Sequence, residues 1–592
     1  MKKGLVIIAL SFVFLNGFSQ TKSTKKNDKK IDTVKTEVVE VVSTYNPKIA
    51  DANKIRKNPV VELLNKSKKK KLNYTIFSAP VASTFIPKSG VVKGIDVGVK
   101  ERIYDNYVAL GYGNYNSPFT EVYLHSNNRF QDQFGLHAKY TASLDNIENT
   151  LLDSNFSNFM ANVFYKKEER YFDWKVSLLT ELDSNNWYGL SNTNFNDTTL
   201  NAIEENQNYK YFKAAGEIDF LDAYLDNSTL SISHFSDAFE SQEFLVNLNT
   251  NFDFPMDFIS RNANNLTVNT NLEYLSGQFA TDYSNQNRLN YTIITAKINP
   301  EYNTTFSGFK LKIGTSFFAS FDTENKINNF LLYPDVRLQK PFAKERFSIY
   351  TGVKGGLNTN TFKGFTDDNP FVSPTIFITQ TSEKYNAFVG FTGLLNNNFS
   401  FNFSARIIEE EDKPLFIKNN SKSDGTTTIF NGNVLNGYEY GNSFNVVYDD
   451  VKTTSFLAEA EYSVNQKLSI SSTIEYQNFT MTNEQEAWNL PNFEGSLSAK
   501  YKEHKWYASA NVFFVGDRKE RDFNTIYPAT FTEAQNVDGF VDLNFNGGYL
   551  FTNQFSVFLK LNNVLNNNYQ QFANFDVQGF QVLGGITYKF DF

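Results

Sequence analysis

The sequence predicts an all-β chain folded as a transmembrane antiparallel β-barrel of about 22 strands, within a range of roughly 20 to 24. Three observations support this prediction. Apolar and polar residues alternate from about Tyr107 to the end of the 592-residue chain. The first twenty residues have the pattern of a secretory signal. Short polar breaks and longer polar connections follow one another along the alternating region.

The export signal is the stretch "MKKGLVIIALSFVFLNGFSQ". It combines Lys2 and Lys3, an apolar run from Leu5 to about Leu15, and the small residue Ser19 before the expected cut. A positive start, a short apolar core and small residues are typical of a cleaved secretory signal. The apolar run is shorter than a bilayer-spanning helix requires. We therefore expect residues 1–19 to be a signal peptide.

A basic leader precedes an acidic body. Residues 21–71 contain fourteen Lys and one Arg against six acidic residues. Because the whole chain carries −8 and the first 71 residues carry +11, residues 72–592 carry −19. An acidic body of this size is a poor surface for nucleic acid, so no nucleic-acid partner is expected.

Alternation is clearest in the last strand, "VLGGITYKFDF". Ile586, Tyr588 and Phe590 fall on one face, whereas Thr587 and Lys589 fall on the other. Successive side chains of a strand point to opposite faces, so such a strand has one apolar and one polar face. In a membrane barrel the apolar face contacts lipid and the polar face lines the lumen. A soluble protein made of several β-sandwiches is the alternative.

The connections separate into two classes. Ten short breaks are predicted, at 128–132, 167–170, 226–228, 260–265, 304–308, 343–346, 396–398, 464–467, 502–505 and 552–554. Long connections are predicted at 183–207, 355–369, 409–441, 516–536 and 566–578. Outer-membrane barrels have short periplasmic turns and long extracellular loops, and ten turns between two periplasmic chain ends predict 22 strands.

Catalytic signatures are absent from the sequence. It contains no G-x-S-x-G, H-E-x-x-H or phosphate-binding glycine motif, and no cysteine. Of four histidines, His125 and His137 fall on polar faces, and His234 lies near serines in "SISHFSD". Acidic residues at 409–412 and 367–368 lack the spacing of a calcium loop and are expected to be solvated. We expect no enzyme activity, no catalytic residues, no cofactor and no metal site.

The C-terminal region from about Phe540 to Phe592 resembles the end of TonB-dependent receptors. The resemblance lies in "FSVFLKLNNVLNNNYQQF", then Gly579, then "FQVLGGITYKF". It implies a receptor-type barrel over residues 107–592, inserted in the outer membrane of a Gram-negative-type bacterium. Tyr588, Phe590 and Phe592 resemble the C-terminal signal that barrel-assembly machinery recognises during insertion.

The segment "TEVVEVVS" is similar to the TonB box of this family, a short strand that pairs with an inner-membrane energy protein. The resemblance implies partner binding by seven residues: Thr36, Glu37, Val38, Val39, Glu40, Val41 and Val42. The family's plug domain has well over a hundred residues, but here only 43–106 separate the box from the barrel. Residues 20–106 are therefore predicted to be a periplasmic leader with a reduced or missing plug.

Two functions follow as expectations. The first is a transport pore or receptor for an unidentified solute, with outer-membrane lipid around it and a TonB-type energy protein as partner. The alternative is a non-enzymatic structural subunit of a larger outer-membrane assembly or secretion complex, derived from a receptor that lost its plug.

Overall fold

The computed structural model describes residues 103–591, apart from 128–131, 191–194, 222, 257–263, 285–286 and 524–530. The predicted signal peptide, the TonB-box-like residues 36–42 and Phe592 lie outside the described residues. Within the described part, the chain forms 28 strands and two short helices.

In chain order the elements are β1 (Asn106–Gly113), β2 (Ser117–Asn127), β3 (Asp132–Ser143), β4 (Phe156–Glu168), β5 (Phe172–Asn186), α1 (Asp197–Leu200), β6 (Asn206–Phe220), β7 (Leu225–Ser236), β8 (Gln242–Phe254), β9 (Leu266–Phe279), β10 (Leu289–Phe306), β11 (Phe309–Asp322), β12 (Ile327–Phe342), β13 (Phe347–Thr359), α2 (Phe362–Asp368), β14 (Gln380–Asn396), β15 (Phe399–Lys418), β16 (Ile429–Phe430), β17 (Asn433–Val434), β18 (Phe444–Ser463), β19 (Leu468–Met481), β20 (Phe493–Lys502), β21 (Trp506–Val515), β22 (Arg518–Phe523), β23 (Phe531–Val537), β24 (Phe540–Leu550), β25 (Phe555–Asn562), β26 (Gln570–Phe572), β27 (Phe575–Asp576) and β28 (Gln581–Phe590). Neither helix is long and apolar enough to cross a membrane.

Twenty-two of these strands form one closed antiparallel barrel, which confirms the predicted fold class and strand number. Each strand pairs with its neighbour along the chain, and the hairpins β16–β17, β22–β23 and β26–β27 stand outside the ring. The ring closes where β1 pairs with β28, from Asn106 opposite Phe590 to Gly113 opposite Leu583. Closure leaves no strand with an edge that is unpaired along its whole length. A sheet in lipid cannot tolerate such an edge.

The two ends of the barrel differ in their connections. Both β1 and β28 have their terminal residues, Asn106 and Phe590, at the end that carries the ten short turns, hereafter the turn end. Nine of these ten turns have four residues or fewer. The opposite end, hereafter the cap end, carries eleven connections, of which seven have eleven residues or more.

Two predicted connections are shifted. The break predicted at 226–228 lies inside β7, and the turn itself is at 221–224. Polar residues misled the prediction, because Asn227 faces the interior and its side-chain oxygen accepts a hydrogen bond from the Asn251 amide at 2.7 Å. The connection predicted at 409–441 begins only at 419, because β15 continues to Lys418 beside β18.

The outer face of the barrel is apolar. Leu110 of β1 lies opposite Ile586 of β28, and Leu559 of the next strand, β25, lies on the same face; each is 45–48% exposed. On the opposite face of β25, Phe558 is 8% exposed and faces the interior. A continuous band of exposed apolar side chains on a closed barrel is the surface that lipid covers.

Candidate functional site

The long connections at the cap end pack on one another rather than projecting separately. Hereafter the cap means residues 187–205, 360–379, 419–443 and 563–580, without the undescribed 191–194. These segments join β5 to β6, β13 to β14, β15 to β18, and β25 to β28. A loop that packs against other loops needs a core of its own, and the sequence of the cap supplies one.

The core of the cap consists of buried aromatic and aliphatic side chains from loops and from the adjoining strand ends. Its members are Trp187, Tyr209, Phe235, Leu275, Phe279, Tyr283, Tyr291, Phe362, Phe365, Phe371, Val372, Ile376, Ile378, Tyr438, Phe444, Val446, Phe572 and Phe575. Phe371 and Phe575 stack with ring centroids 3.8 Å apart. Each buried aromatic ring removes about 150–250 Å² from water, so this cluster is the main apolar stabilisation of the cap.

Several contacts in the cap cross the mouth of the barrel. Trp187 follows β5, whereas Tyr438 and Asn442 precede β18, next to β15. In the ring of 22 strands, β5 and β15 are ten positions apart, so these segments start from nearly opposite walls. The Asn442 amide nevertheless donates to the Trp187 carbonyl oxygen at 2.7 Å, and the Trp187 and Tyr438 rings lie 5.4 Å apart. The loops therefore bridge the mouth.

Helix α2 is fastened to the barrel wall by one buried carboxylate. Glu243, near the start of β8, accepts hydrogen bonds from the Phe362 and Lys363 backbone N–H groups at 2.6 and 3.2 Å. It also accepts from the Tyr291 hydroxyl at 2.7 Å, and only 4% of Glu243 is exposed. The first N–H groups of a helix have no partner inside the helix, so a carboxylate placed there satisfies them.

The position of Tyr291 depends on a glycine in the neighbouring strand. A Cβ at Gly277 would lie 2.2 Å from the Tyr291 hydroxyl oxygen, so any larger residue would displace the ring. Tyr291 lies directly opposite Gly277 in the β9–β10 pairing. Gly277 thus makes room for the hydroxyl that reaches Glu243.

Lys363 makes the second attachment of α2. Its Nζ lies 2.9 Å from a Glu181 carboxylate oxygen on β5 and 2.7 Å from an Asp367 oxygen one helical turn later. Burial lowers the pKa of Lys363, but Asp367 and Glu181 outweigh this effect and the pKa is raised above its usual value. Lys363 therefore stays charged and ties the helix to the wall.

A buried ion pair holds the 419–443 segment together. Lys422 and Glu439 form a salt bridge with side chains only 2% and 6% exposed. The Lys422 Nζ also lies 4.4 Å from the centre of the Tyr283 ring, and Glu439 accepts from the Asn436 N–H at 2.7 Å. Removing either charge would leave the other buried without its partner.

The hairpin β22–β23 is joined to the cap end through Glu520, which is fully buried. Its carboxylate accepts from the Lys418 and Arg521 N–H groups at 3.0 and 2.7 Å and from the Asn489 amide at 2.6 Å. Burial is the largest influence and raises the pKa of Glu520 above its usual value. On the same strand, the Arg518 guanidinium donates to the Gln570 carbonyl oxygen at 2.6 Å.

Buried charge in the described part of the chain is concentrated at the cap end. The buried charged residues there are Glu243, Lys418, Lys422, Glu439, Asp449, Arg518, Glu520 and Asp542. All eight lie in cap-end connections, in the β22–β23 hairpin or in the cap-end halves of strands. Buried charges require specific partners, so this end has one defined arrangement of its loops.

Of the residues predicted for partner binding and assembly, the structure describes only Tyr588 and Phe590. Thr36 to Val42 lie outside the described residues, so the TonB-box-like role stays a prediction. Tyr588 and Phe590 lie in β28 opposite Val108 and Asn106 of β1, at the seam that closes the barrel. Their rings stack with centroids 6.0 Å apart. Phe592 lies outside the described residues, and the assembly role of all three stays a prediction.

The histidines are divided between the two faces. His125 packs near Tyr123 and Phe164 on the interior face, and the His137 Nε2 lies 3.2 Å from a Glu121 oxygen. His234 lies opposite Phe244, and both side chains are exposed on the outer face. Ser233, next to His234 in sequence, points to the other face because strand side chains alternate.

The acidic residues 409–411 belong to β15, contrary to the expectation that they lie in a loop. Lys384 of β14 makes salt bridges with Glu409 and Glu411 at 3.6 and 2.5 Å. Strand β15 continues through these residues because it stays paired with β18 as far as Lys418, opposite Phe444. In the residues that the structure describes, no three His, Asp or Glu side chains are grouped as a metal site.

Sequence reasoning did not find the residues that hold the cap. Glu243, Lys422 and Glu520 are single charges in polar surroundings, and each has a partner far along the chain, at 119, 17 and 102 residues respectively. One signal was available: the long connections contain stretches such as "FKGFTDDNPFVSPTIFI" and "GYEYGNSF". Aromatic residues at this density are unusual for solvated loops and indicate loops that pack.

Comparison with known proteins shows the fold. No protein-family model matches the chain, and no curated protein matches its sequence. The FrpB iron transporter from Neisseria meningitidis has a similar structure, with a TM-score of 0.61, 11% identity, and coverage of 83% of both chains. The ferric enterobactin receptor PfeA from Pseudomonas aeruginosa follows at 0.57 and 9%, covering 82% of this chain and 80% of that one.

The copper transporter OprC is similar at a TM-score of 0.55 and 10% identity, covering 82% of this chain and 80% of that chain. These structures are TonB-dependent receptors, and their likeness covers 82–83% of this chain. The chain therefore has the 22-strand barrel fold of TonB-dependent receptors. This is the fold that the C-terminal resemblance implied.

Proposed function

We propose that this chain is an outer-membrane barrel of the receptor or transport type, in a Gram-negative-type bacterium, whose outer mouth is closed by its own loops. The apolar outer face and the likeness to iron, siderophore and copper receptors or transporters support the location and the class. The solute is not identified by the geometry. Opening of the cap is the step that would admit it.

The observation that carries the proposal is the set of contacts across the mouth. Asn442 and Tyr438 meet Trp187 from nearly the opposite wall, and Phe575 stacks on Phe371. In the proposed orientation the cap faces outward, because the short turns, the start of β1 at Asn106 and the end of β28 at Phe590 lie at the other end. A solute arriving from outside meets the cap first.

Single-channel conductance in planar bilayers tests the closed mouth. Wild-type protein should show little or no conductance, because the cap blocks the lumen. Glu243→Ala should open the pore intermittently, since α2 loses the carboxylate that accepts three hydrogen bonds. Glu168→Ala at the turn end is the matched control and should stay silent. Large conductance in the wild type, or silence in the cap variant, would contradict the proposal.

Energy coupling is tested separately through the leader. Val38→Pro removes a backbone donor from the TonB-box-like strand and should abolish binding to a TonB-type periplasmic domain. Val61→Pro, in the same leader but outside residues 36–42, is the control and should bind normally. Binding is measured by calorimetry with the purified periplasmic domain. Unchanged binding by Val38→Pro would remove energy coupling from the proposal.

The alternative function is a structural subunit of an outer-membrane assembly or secretion complex. The closed mouth favours it as well, because a barrel that never conducts can serve as a rigid membrane platform. Gentle purification from native membranes followed by mass spectrometry distinguishes the two functions. Stoichiometric recovery of assembly or secretion components would favour the platform, whereas recovery of the barrel alone would favour transport.

A further inference from the structure

A split opens in the barrel wall between β12 and β13, on the side of the cap end. From the turn end upward, these two strands pair only as far as Asp335 opposite Lys354. Above this point residues 327–333 of β12 remain paired with β11 but with no strand on their other side. Hereafter the free edge means residues 327–333, which form a strand edge within the wall of the barrel.

Strand β13 bends away from the free edge at Gly355. The register of its pairing with β14 shifts between Lys354 and Gly356. A Cβ at Gly355 would lie 2.9 Å from the Tyr333 ring and 2.7 Å from the Glu383 carbonyl oxygen, so this close approach requires a glycine. The bend is therefore built into the sequence of β13.

A glutamine holds the end of β13 against the inner surface of the wall. The Gln380 Nε2 donates to the Thr359 hydroxyl oxygen, at the end of β13, at 3.1 Å. The same nitrogen donates at 2.8 Å to the hydroxyl oxygen of Thr295 on β10, which is buried on the interior face. Because the end of β13 is held inside the barrel, it does not pair with the free edge.

Backbone groups of the free edge point into the split. The Tyr333 carbonyl oxygen accepts a hydrogen bond from the Thr315 hydroxyl of β11 at 2.9 Å, so Tyr333 directs its backbone groups toward β11. Successive residues of a strand direct these groups to opposite sides, so those of Asn328, Phe330 and Leu332 point away from β11. Among the described residues, these three have no backbone hydrogen-bond partner on that side.

The side chains of the free edge are uncharged and exposed. Phe330 and Leu332 are 75% and 63% exposed, the highest values for large apolar side chains in the described barrel strands. The whole segment reads "INNFLLY" and contains no charge. Natural edge strands are usually protected from pairing by charged side chains, bulges or a covering loop. The free edge lacks a charge of this kind, which indicates an edge that takes a partner.

The free edge lies at the upper boundary of the lipid-facing band. Phe342 and Phe347 stack at the turn end with centroids 5.7 Å apart, as aromatic residues do at the lower boundary. Leu332 is ten residues from Phe342 along β12. Ten residues of a tilted strand rise about 25 Å, which is the height of the apolar band. Lipid at this boundary covers apolar side chains but cannot pair with backbone N–H and C=O groups.

A second copy of this chain does not fit the free edge. Two copies in one membrane are related by a rotation about the membrane normal, so their β12 strands run in the same vertical sense. Because barrel strands tilt by about 35–45°, the two free edges would cross at about 70–90° instead of aligning. The unpaired backbone groups therefore require an extended segment of a different polypeptide.

We propose that the free edge is a docking site for an extended, uncharged segment of a partner protein, which adds to β12 as a further strand. Main-chain hydrogen bonds to Asn328, Phe330 and Leu332 supply the affinity. Apolar side chains at alternate positions of the segment pack beside Phe330 and Leu332 and select the partner. The proposal rests on the outward orientation of the cap end given above, but not on the conductance of the pore.

Residue-resolved hydrogen exchange of the mature chain in lipid nanodiscs tests the free edge. The probe is a synthetic peptide, TSFFASFD, the sequence of residues 315–322, which pairs with the same part of β12 on its other side. At saturating peptide, the amides of Asn328, Phe330 and Leu332 should exchange at least about tenfold more slowly, because they gain a paired strand. A control peptide keeps the same side chains but carries N-methyl groups in place of its backbone donors, and it should give no protection.

Two variants separate backbone pairing from apolar contact. Phe330→Pro removes a donor that points into the split and should abolish the protection of Asn328 and Leu332. This variant should still fold, because Pro334 already occupies a position of the same alternate set. Phe330→Ala is the matched control, since it loses the ring but keeps the N–H group, and its protection should persist with weaker binding. Heat-dependent gel mobility checks that both variants are folded.

Unchanged exchange at saturating peptide would overturn the proposal, and so would equal protection by the N-methylated peptide or protection that persists in Phe330→Pro. Slow exchange of Asn328, Phe330 and Leu332 without any peptide would also overturn it, since the edge would then be paired with β13 or covered by lipid. A conducting pore and an edge that binds no strand are separate failures, because they are measured by conductance and by hydrogen exchange.

Discussion

At the turn end of the barrel, two to four residues usually suffice to join neighbouring strands, whereas at the cap end long segments leave the wall and meet across the mouth. Ion pairs at the turn end are solvated: the side chains of Lys467 and Glu503 are 49% and 31% exposed. The corresponding pair in the cap, Lys422 and Glu439, is 2% and 6% exposed. A lysine–glutamate pair is therefore expected to contribute little to stability at the turn end and much more at the cap end.

The difference shows how one barrel can carry two kinds of stability. Strand pairing is continuous around the ring and depends on backbone hydrogen bonds that any sequence with the right pattern can make. The cap depends on individual side chains with single partners, such as Glu243 with the α2 N–H groups. Local opening is therefore expected at the cap long before the barrel unfolds.

The largest expected effect comes from Glu243→Ala. The change leaves the Tyr291 hydroxyl and two N–H groups of α2 buried without their acceptor. Each such group costs about 1–3 kcal/mol, so the loss of the acceptor for three groups should cost the cap about 3–9 kcal/mol of local stability. Hydrogen exchange of 360–379 should accelerate by at least about a hundredfold, while exchange in β2 and β3 stays constant. Equal acceleration at both ends would remove the distinction between them.

The Lys422–Glu439 pair should show the next largest effect. Lys422→Met or Glu439→Leu alone should lower cap stability by about 3–5 kcal/mol, because each leaves an uncompensated buried charge. The double variant should recover most of the loss, since two apolar side chains of similar size can replace a buried pair. Limited proteolysis of 419–443 measures all three variants. Additive losses in the double variant would mean that the two charges do not act as a pair.

A smaller effect is expected from pH. Burial raises the pKa values of Glu520, Asp237 and Glu205, all in cap-end segments outside the barrel strands. A raised folded-state pKa means that the folded loops of the cap end bind more protons, so their stability falls as pH rises through the interval between the ordinary and raised pKa values. Protease sensitivity of 518–523 should therefore increase from pH 4 toward neutrality. Glu520→Gln should flatten this profile; an unchanged profile would exclude Glu520 as its source.

The smallest effect is expected at the turn end. Lys467→Ala removes a salt bridge to Glu503 between two exposed side chains, where water solvates each charge well without the other. The thermal midpoint in detergent should not shift measurably, and added salt should not alter the result. A clear loss of stability would show that the turn end also depends on specific pairs, and the contrast between the two ends would fail.

The sequence by itself determined the barrel. Alternation of the kind seen in "VLGGITYKFDF" assigns every second side chain to lipid, and the ten polar breaks set the strand number. These signals are local, because a strand's two faces and a short turn depend only on residues next to one another. The C-terminal motif added the receptor fold for the same reason, since it spans adjacent strands.

Only the tertiary structure decided what the long connections do. Glu243 meets Phe362 across 119 residues, and Lys422 meets Glu439 only because 419–443 folds back on itself over the mouth. The pairing of β24 with β25 begins only at Phe545, although β24 itself begins at Phe540, and no local pattern reveals this mismatch. Contacts of this kind depend on which loops the closed ring brings together. The alternation of apolar and polar residues specifies the barrel, whereas the closed barrel determines which loops can meet in the cap.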